Sequence, residues 1–168
     1  MKYELIVSGE FSNVQGLQAD LTFPAVITCS LCNYTHPKTV IITEDSSVKL
    51  KFNYKCNFEL QCHSCKNDIK ISILKPENMV CEEIPDKYDD LFKIEYCPVT
   101  NDLCKLSIFN SQGGEISEIK NTPLNVLTSD KKFFKNQVID EKKSLVGDYG
   151  EGKFFSILNC EFFIKQIK

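Results

Sequence analysis

The clearest pattern of hydrophobic and polar residues runs from Val48 to Gln61, where the two kinds alternate without interruption. A period of two predicts a long strand, bent or bulged, or two consecutive strands, with one face in water. The polar face carries Lys49, Lys51 and Lys55, which we interpret as solvated or as protection against pairing between sheet edges. The apolar positions are Val48, Leu50, Phe52, Tyr54, Cys56, Phe58 and Leu60.

Short runs rich in β-branched and aromatic residues predict further strands along the chain. The last of them, Lys153–Ile164, is apolar on both faces and is therefore expected at the centre of a sheet. Because no linker divides the chain, residues 1–168 are expected to form one mostly β domain of two antiparallel sheets packed face to face as a sandwich. The other predicted strands are Lys2–Ser8, Thr22–Thr28, Thr39–Thr43, Ile69–Ile73, Leu91–Tyr96 and Leu103–Phe109.

Proline, glycine and acidic residues mark the predicted connections between these strands. Residues 75–90 are rich in proline and acid and predict an exposed connection, and the glycines of Gly147–Gly152 bracket a loop. Pro24 places the beginning of its strand at a sheet edge or just outside the ladder. Residues 115–135 are ambiguous, although Ser129-Asp130 is typical of the cap of a short helical turn.

Two Cys-x-x-Cys pairs, Cys29/Cys32 and Cys62/Cys65, are the strongest candidate for chemistry. Each such turn places two sulfur atoms on one side of a metal ion, and four thiolates satisfy the tetrahedral preference of zinc. Turn-rich or strand-like sequence follows both pairs, so each is expected at a hairpin tip. The pattern predicts one structural Zn²⁺ per chain, with four buried free cysteines or two redox dithiols as the alternatives.

Four of the remaining cysteines have simpler interpretations. Cys56 and Cys160 lie in strand patterns and are expected to be small buried apolar residues. Cys97 and Cys104 flank a turn that could join them as a disulfide or an accessory metal pair. Ordinary strand cysteines beside a loop are common, so we expect both to be bystanders of the zinc site.

Catalytic machinery is not evident in the sequence. His36 and His63 are the two histidines of the chain, and both are interpreted as turn residues because four cysteines already complete a structural zinc site. The chain lacks a nucleophile elbow, a phosphate-binding glycine loop and the His-x-Glu motif that accompanies the cysteine pair of a zinc deaminase. The sequence therefore predicts a protein that is not an enzyme.

Composition restricts the partners and the compartment. All 20 basic residues are lysine and the formal net charge is −3, so there is neither a guanidinium fork for phosphate nor an overall attraction to nucleic acid. No apolar run reaches membrane length, and the N-terminus does not have the apolar core of a signal peptide. An odd number of cysteines, clustered in pairs, fits a reducing compartment. We therefore expect a soluble protein of the cytoplasm, or of the nucleus as well, that binds neither nucleic acid nor membrane.

Several features occur together in a characteristic order: Asn13-Val14-x-x-Leu17, the two cysteine pairs, an isoleucine-rich strand after Cys65, and Asp140-Glu141-Lys142 before the terminal strand. In this order the chain resembles the eukaryotic CXXC-motif-containing zinc-binding proteins, a family without an established activity. The resemblance implies a mostly β fold of two sheets and one zinc ion held by the four motif cysteines. The segment from Cys97 to Phe134 departs from the family pattern.

These observations favour a non-enzymatic, monomeric zinc protein whose metal fixes a β domain used to bind another protein. The surplus cysteines leave a second hypothesis, a metal-handling or thiol-redox protein, which needs a labile metal or a thiolate of low pKa. The sequence does not identify the protein partner.

Overall fold

A computed structural model of the chain describes residues 1–44, 48–49 and 55–168, and every regular element in these ranges is a β-strand. The predicted all-β class is confirmed. None of the described residues forms a helix long and apolar enough to cross a membrane. The strands are β1 Lys2–Ser12, β2 Gly16–Ala19, β3 Thr22–Cys29, β4 Val40–Thr43, β5 Val48–Lys49, β6 Lys55–Cys56, β7 Phe58–Gln61, β8 Asp68–Leu74, β9 Val80–Pro85, β10 Leu91–Thr100, β11 Leu103–Gln112, β12 Gly114–Ile119, β13 Leu124–Leu127, β14 Phe133–Gln137, β15 Leu145–Gly150 and β16 Lys153–Ile167.

One large sheet of 11 strands dominates the fold and is nearly a barrel. Its main path runs β14-β13-β2-β10-β11-β1-β16-β15, with β9 beside β10 and the β7–β8 hairpin beside β11. The two ends of the path meet through side chains: the Phe134 ring of β14 lies 5.2 Å from the Tyr149 ring of β15 and 5.0 Å from the Phe155 ring of β16. The predicted sandwich of two sheets is therefore wrong.

Irregular pairing of β1 explains how this sheet curls. β1 pairs with β11 on one side and β16 on the other, and its register shifts between Leu5 and Ile6 towards β11 and between Ser8 and Glu10 towards β16. Bulges bend a strand and increase its twist, which favours a closing sheet over two flat layers. In strand order β16 lies between β1 and β15, as predicted, but both neighbours pair with it only at Ser156 and Ile157.

A second sheet of 3 strands, in the order β12-β3-β4, carries the first cysteine pair at the end of β3. It is joined to the large sheet by Phe23 of β3, whose ring packs edge-on against Phe109 of β11 with centroids 5.1 Å apart. Among the strands, Thr22–Pro24 pair with β4 alone and Val26–Cys29 with β12 alone, so β3 begins at a one-sided edge, as Pro24 predicts. The Pro24 carbonyl accepts a 2.8 Å hydrogen bond from the Lys120 amide, one residue past the end of β12. The N–H and C=O groups of a strand residue point to the same side, so the N–H that proline lacks would point past the end of β12, and its absence costs no ladder hydrogen bond.

The alternating segment from Val48 to Gln61 is not one long strand. β5 pairs antiparallel with β6, so the chain reverses between them, and β7 then pairs with β8. Residues 50–54, which include Lys51 of the predicted polar face, lie outside the described ranges. Alternation indicates strand conformation, but it carries no signal for the reversal because both arms of a hairpin alternate.

Strands also occur in the predicted connection and in the region that the sequence leaves ambiguous. Residues 75–90 contain β9, which pairs along its whole length with β10. Residues 115–135 contain most of β12, all of β13 and the beginning of β14. Ser129-Asp130 lies in the hairpin turn between β13 and β14, where the Thr128 amide donates to the Lys132 carbonyl at 2.9 Å, so the predicted helical cap is wrong.

The glycine-rich loop before β16 is shorter than the sequence predicts. Gly147 belongs to β15, and a Cβ atom there would lie 2.3 Å from the Phe155 ring. Gly150 and Gly152 have φ values of 96° and 74° and form the tight turn into β16. Glycine is therefore needed for close packing at the first position and for backbone conformation at the other two.

Candidate metal centre

The four cysteines of the two Cys-x-x-Cys pairs converge at one point. Their Sγ atoms all lie within 4.8 Å of one another, and among the described residues they form the one group of three or more metal-ligating side chains. The closest contacts cross between the pairs: Cys29 Sγ is 3.7 Å from Cys65 Sγ, and Cys32 Sγ is 3.6 Å from Cys62 Sγ. The fold thus brings the four predicted ligands together.

These separations fit a tetrahedral zinc ion. With Zn–S bonds of about 2.3 Å, the edges of an ideal tetrahedron are about 3.8 Å long. Contacts of 3.6 and 3.7 Å are close to this value, and all nine cysteines of the chain are free thiols rather than disulfides. Four sulfur donors with no open position are typical of structural zinc.

The first cysteine turn is held by its own backbone. The Cys29 amide donates to the Tyr34 carbonyl at 2.9 Å, and the Asn33 amide donates back to the Cys29 carbonyl at the same distance. Asn33, directly after Cys32, has a φ of 60°, a left-handed conformation that asparagine tolerates better than most residues. The turn therefore closes without any contribution from the metal.

The second cysteine turn repeats this arrangement between β7 and β8. The Cys62 amide donates to the Asn67 carbonyl at 2.8 Å, and the Lys66 amide donates to the Cys62 carbonyl at 3.0 Å. Lys66, directly after Cys65, has a φ of 65°. In each turn the first cysteine is buried and the second is half-buried. The two halves of the site are thus equivalent in backbone conformation, and the hairpin tip predicted for this pair is confirmed.

One carbonyl group braces both turns. Gly113, in the turn between β11 and β12, accepts hydrogen bonds from the Ser30 amide at 3.1 Å and from Asn67 Nδ2 at 2.9 Å. Asn67 Nδ2 also lies 3.5 Å from Cys29 Sγ, where it can donate to a thiolate. The sequence carries no signal for this bridge between distant segments.

Replacing Gly113 with alanine should loosen the metal centre. Gly113 has a φ of 76°, and an added Cβ would lie 2.1 Å from the Asp68 carbonyl oxygen. We expect Gly113→Ala to cost about 1–3 kcal/mol of unfolding free energy and to speed zinc release, measured by thermal melting and by transfer of the metal to a chromophoric chelator. Gly152→Ala is the matched control, because its φ is 74° but no atom lies within 4 Å of the added Cβ. Equal zinc release from both variants would contradict the bracing role.

Backbone hydrogen bonds favour the thiolate form of individual cysteines, but the four sulfur atoms are too close together to be ionised at the same time without a cation. The backbone N–H of Cys32, helped by that of Leu31 and by the Asn67 amide, lowers the pKa of Cys29 to about 6. A hydrogen bond from the Asn67 backbone amide favours the Cys65 thiolate, but burial and the neighbouring sulfur atoms together outweigh it and raise the pKa of Cys65 to about 12. Four adjacent thiolates repel one another unless a cation compensates their charge, so this donor set is chemically suited to a divalent metal ion.

Cys97 and Cys104 lie far along the chain from this centre and are buried in the β10–β11 hairpin. Cys104 Sγ is 3.3 Å from the Cys97 carbonyl oxygen, and a hydrogen bond between the two thiols lowers the pKa of Cys97. Both are free, so the disulfide that their spacing would allow is not formed. Cys56 and Cys160 are buried, as predicted, and Cys81 is exposed.

We expect the chain to retain one tightly bound zinc ion, with or without Cys97 and Cys104. The double variant Cys97→Ser, Cys104→Ser leaves the four converging sulfur atoms untouched. Elemental analysis after passage over a chelating resin, which removes weakly bound metal, should therefore give the same zinc content for wild type and variant. A second tightly bound ion that disappears in the variant would contradict the assignment of the ligands.

A polar cluster that the sequence did not reveal lies outside the metal centre. The Tyr96 hydroxyl donates to Glu82 Oε2 at 2.9 Å, Lys131 Nζ lies 2.7 Å from Glu82 Oε1, and Gln15 hydrogen-bonds to Tyr96 and Lys131. Hydrogen bonds from Lys131 and Tyr96 lower the pKa of Glu82. The four residues come from separate segments and are hydrogen-bond partners of one another. We therefore interpret the cluster as a structural contact that joins β9, β10 and the β13–β14 turn.

The fold and the cysteine cluster define a class: all-β proteins in which two Cys-x-x-Cys turns from different strands form one metal centre. The sequence model of the family described as CXXC motif containing zinc binding protein, eukaryotic, matches residues 4–151. The chain belongs to this family, which confirms the resemblance seen in its motifs. Family membership and the cysteine cluster together point to zinc binding.

One sequence relative and two solved structures show what this chain is similar to. An uncharacterised protein of Encephalitozoon cuniculi (strain GB-M1) is 27% identical over 146 residues, covering 84% of this chain and 85% of its own length. The crystal structure of C1orf123 superposes with a TM-score of 0.75 at 17% identity and covers 99% of this chain and all of the other. A hypothetical protein from Plasmodium falciparum superposes with a TM-score of 0.72 at 13% identity, covering 98% of this chain and 99% of its own. The two solved structures show that the fold is shared.

Proposed function

We propose that the chain is a non-enzymatic zinc protein in which one Zn²⁺, bound by four cysteines, fixes a β domain used to bind another protein. The observation that carries this proposal is the display of Leu31, which lies between two of the converging cysteines and is 72% exposed. Tyr34, on the same turn, is 37% exposed. Leu31 and Tyr34 are three residues apart on one turn and can form adjoining apolar surface, which is typical of a binding site when it is contiguous. A closed set of four sulfur donors offers no coordination position to a substrate.

The proposal is tested by comparing captured partners of three full-length, zinc-loaded proteins. Leu31→Ser combined with Tyr34→Ser should lose a partner that wild type retains from a cell lysate. Val138→Ser, a change at a side chain that is 68% exposed elsewhere, is the matched control and should retain it. A partner bound equally by all three proteins would show that the first cysteine turn is not the binding surface.

We further propose that the protein is a monomer of the cytoplasm, or of the nucleus as well, that binds neither nucleic acid nor membrane. The net charge of −3 and the absence of arginine support the exclusion of nucleic acid, because polyanion binding depends on clustered basic side chains. Gel-shift titrations with duplex DNA and RNA near physiological ionic strength should show no salt-sensitive complex. Submicromolar binding would contradict this part of the proposal.

Metal handling is the second candidate function, and the exposure of the ligands favours it. Cys32 and Cys65 are half-buried, so solvent-borne chelators can approach two of the four sulfur atoms. Competition with a chromophoric chelator of moderate affinity separates the candidates. Rapid and reversible loss of zinc from a protein that stays folded would favour metal handling, whereas slow loss coupled to unfolding would favour a structural ion.

A further inference from the structure

The two histidines of the chain lie side by side across the two cysteine turns. His63 is inside the second turn, directly after Cys62, and His36 follows the first turn four residues after Cys32. Their ring centroids are 5.3 Å apart with the ring planes at 62°. The turns that bring four sulfur atoms together therefore also bring together two imidazoles that are distant in sequence.

We propose that His36 and His63 form a second binding site, for an exchangeable divalent transition-metal ion such as Zn²⁺, beside the four-cysteine centre. Imidazole nitrogen is a preferred ligand of zinc and of its neighbours copper and nickel. When two imidazoles bind one tetrahedral ion with metal–nitrogen bonds of about 2.0–2.1 Å, their ring centroids are about 5.2 Å apart. The observed separation of 5.3 Å is close to this value.

A hydrogen bond prepares one of the two rings for coordination. His36 Nδ1 lies 2.9 Å from the Lys38 carbonyl oxygen, and its contact with the Lys38 amide nitrogen is longer, at 3.3 Å. In the tautomer with its proton on Nδ1, the ring donates to that oxygen and keeps the Nε2 lone pair for a metal. In the other tautomer Nδ1 accepts from the Lys38 amide, and a metal at Nε2 would select the first tautomer. Metal-binding histidines usually donate their second ring nitrogen to a carbonyl or carboxylate in this way.

The second ring is free to complete the pair. His63 is exposed and His36 is half-buried, and within the described ranges no hydrogen bond holds the His63 ring, so its side chain can rotate towards an ion beside His36. No cysteine, aspartate or glutamate of the described residues joins the two histidines as a third ligand. The remaining coordination positions face water, so we expect weaker binding and faster exchange than at a closed site of four sulfur donors.

Binding at this site can be followed by NMR of the histidine side chains, because the chain has two histidines and both belong to the site. The full-length protein, labelled with ¹⁵N at histidine and carrying zinc in its four-cysteine centre, is titrated with Zn²⁺ at constant neutral pH while the ring nitrogen signals are recorded by NMR. We expect the signals of both rings to shift together and to saturate at one added ion per chain. Calorimetry of the same titration gives the affinity.

Two variants complete the test. His63→Gln should weaken binding of the added ion at least tenfold while the tightly bound zinc content stays unchanged. Lys38→Gln is the matched control, since it alters a neighbouring side chain but keeps the carbonyl that orients His36, and it should bind as wild type does. Shifts in one ring only, no saturation at one added ion, or an unchanged affinity in His63→Gln would overturn the proposal and leave the ring contact as packing.

Discussion

Replacing Cys62 with serine should release the zinc ion and lower the melting temperature by about 5–10 °C. Three sulfur ligands hold the ion less tightly, and once it is released it no longer links the first turn at the end of β3 to the second turn between β7 and β8. Structural zinc contributes on the order of 10 kcal/mol in small peptides. We expect a smaller effect here because this chain also has an extensive apolar core. Cys29→Ser, Cys32→Ser and Cys65→Ser should behave alike.

Buried cysteines elsewhere provide the controls for this prediction. Cys56→Ser and Cys160→Ser place a hydroxyl group at buried positions, so they can lower the melting temperature through packing, but both should keep the zinc. Bound zinc and melting temperature are measured on the same six purified variants. A Cys62→Ser protein that loses its metal and still melts like wild type would exclude a structural role and would favour metal handling.

The second large effect is expected from Phe109→Ala, at about 3–5 kcal/mol of unfolding free energy. The Phe109 ring is fully buried and packs edge-on against Phe23, which links the large sheet to the sheet that carries the first cysteine turn. The substitution removes this aromatic contact and leaves a cavity that close-packed neighbours cannot fill. Denaturant unfolding measures the loss, and a melting temperature about 10 °C or more below wild type should accompany it.

This variant also separates packing from metal binding. Phe109→Ala keeps all four converging cysteines, so the folded protein should still hold its tightly bound zinc. Phe154→Ala is the matched control: its ring is 52% exposed, so its loss should cost less than about 1 kcal/mol. If Phe109→Ala were no more destabilising than Phe154→Ala, the contact with Phe23 would not be what holds the two sheets together.

The convergence of the four cysteines was predictable from ligand chemistry, because a tetrahedral zinc site needs four sulfur donors and each pair supplies two. A Cys-x-x-Cys turn fixes the relative position of its two sulfur atoms, and two such turns in a chain of strands have one economical arrangement around a metal. The place of β16 between β1 and β15 was predictable from its apolar residues, but the expected cover on both faces is not formed, since Phe154, Leu158 and Phe163 are exposed.

The braces around the site were not predictable from the sequence. The Asn67 side chain donates to the Gly113 carbonyl, 46 residues away in the chain. Neither residue type predicts this hydrogen bond. The contact between His36 and His63 has the same origin. Each depends on how the turn between β11 and β12 and the two cysteine turns are placed, and that placement is a property of the assembled sheets.

By itself, the sequence determined the all-β class, the two cysteine turns and the strands with strong alternation, because residue type at short spacing controls each of them. The tertiary structure decided that the large sheet curls into a near barrel and that the chain reverses between β5 and β6. The physical reason is that alternation reports only which face of a strand is buried. Curvature, register and strand order depend on twist, bulges and contacts between distant segments such as Phe134 and Tyr149.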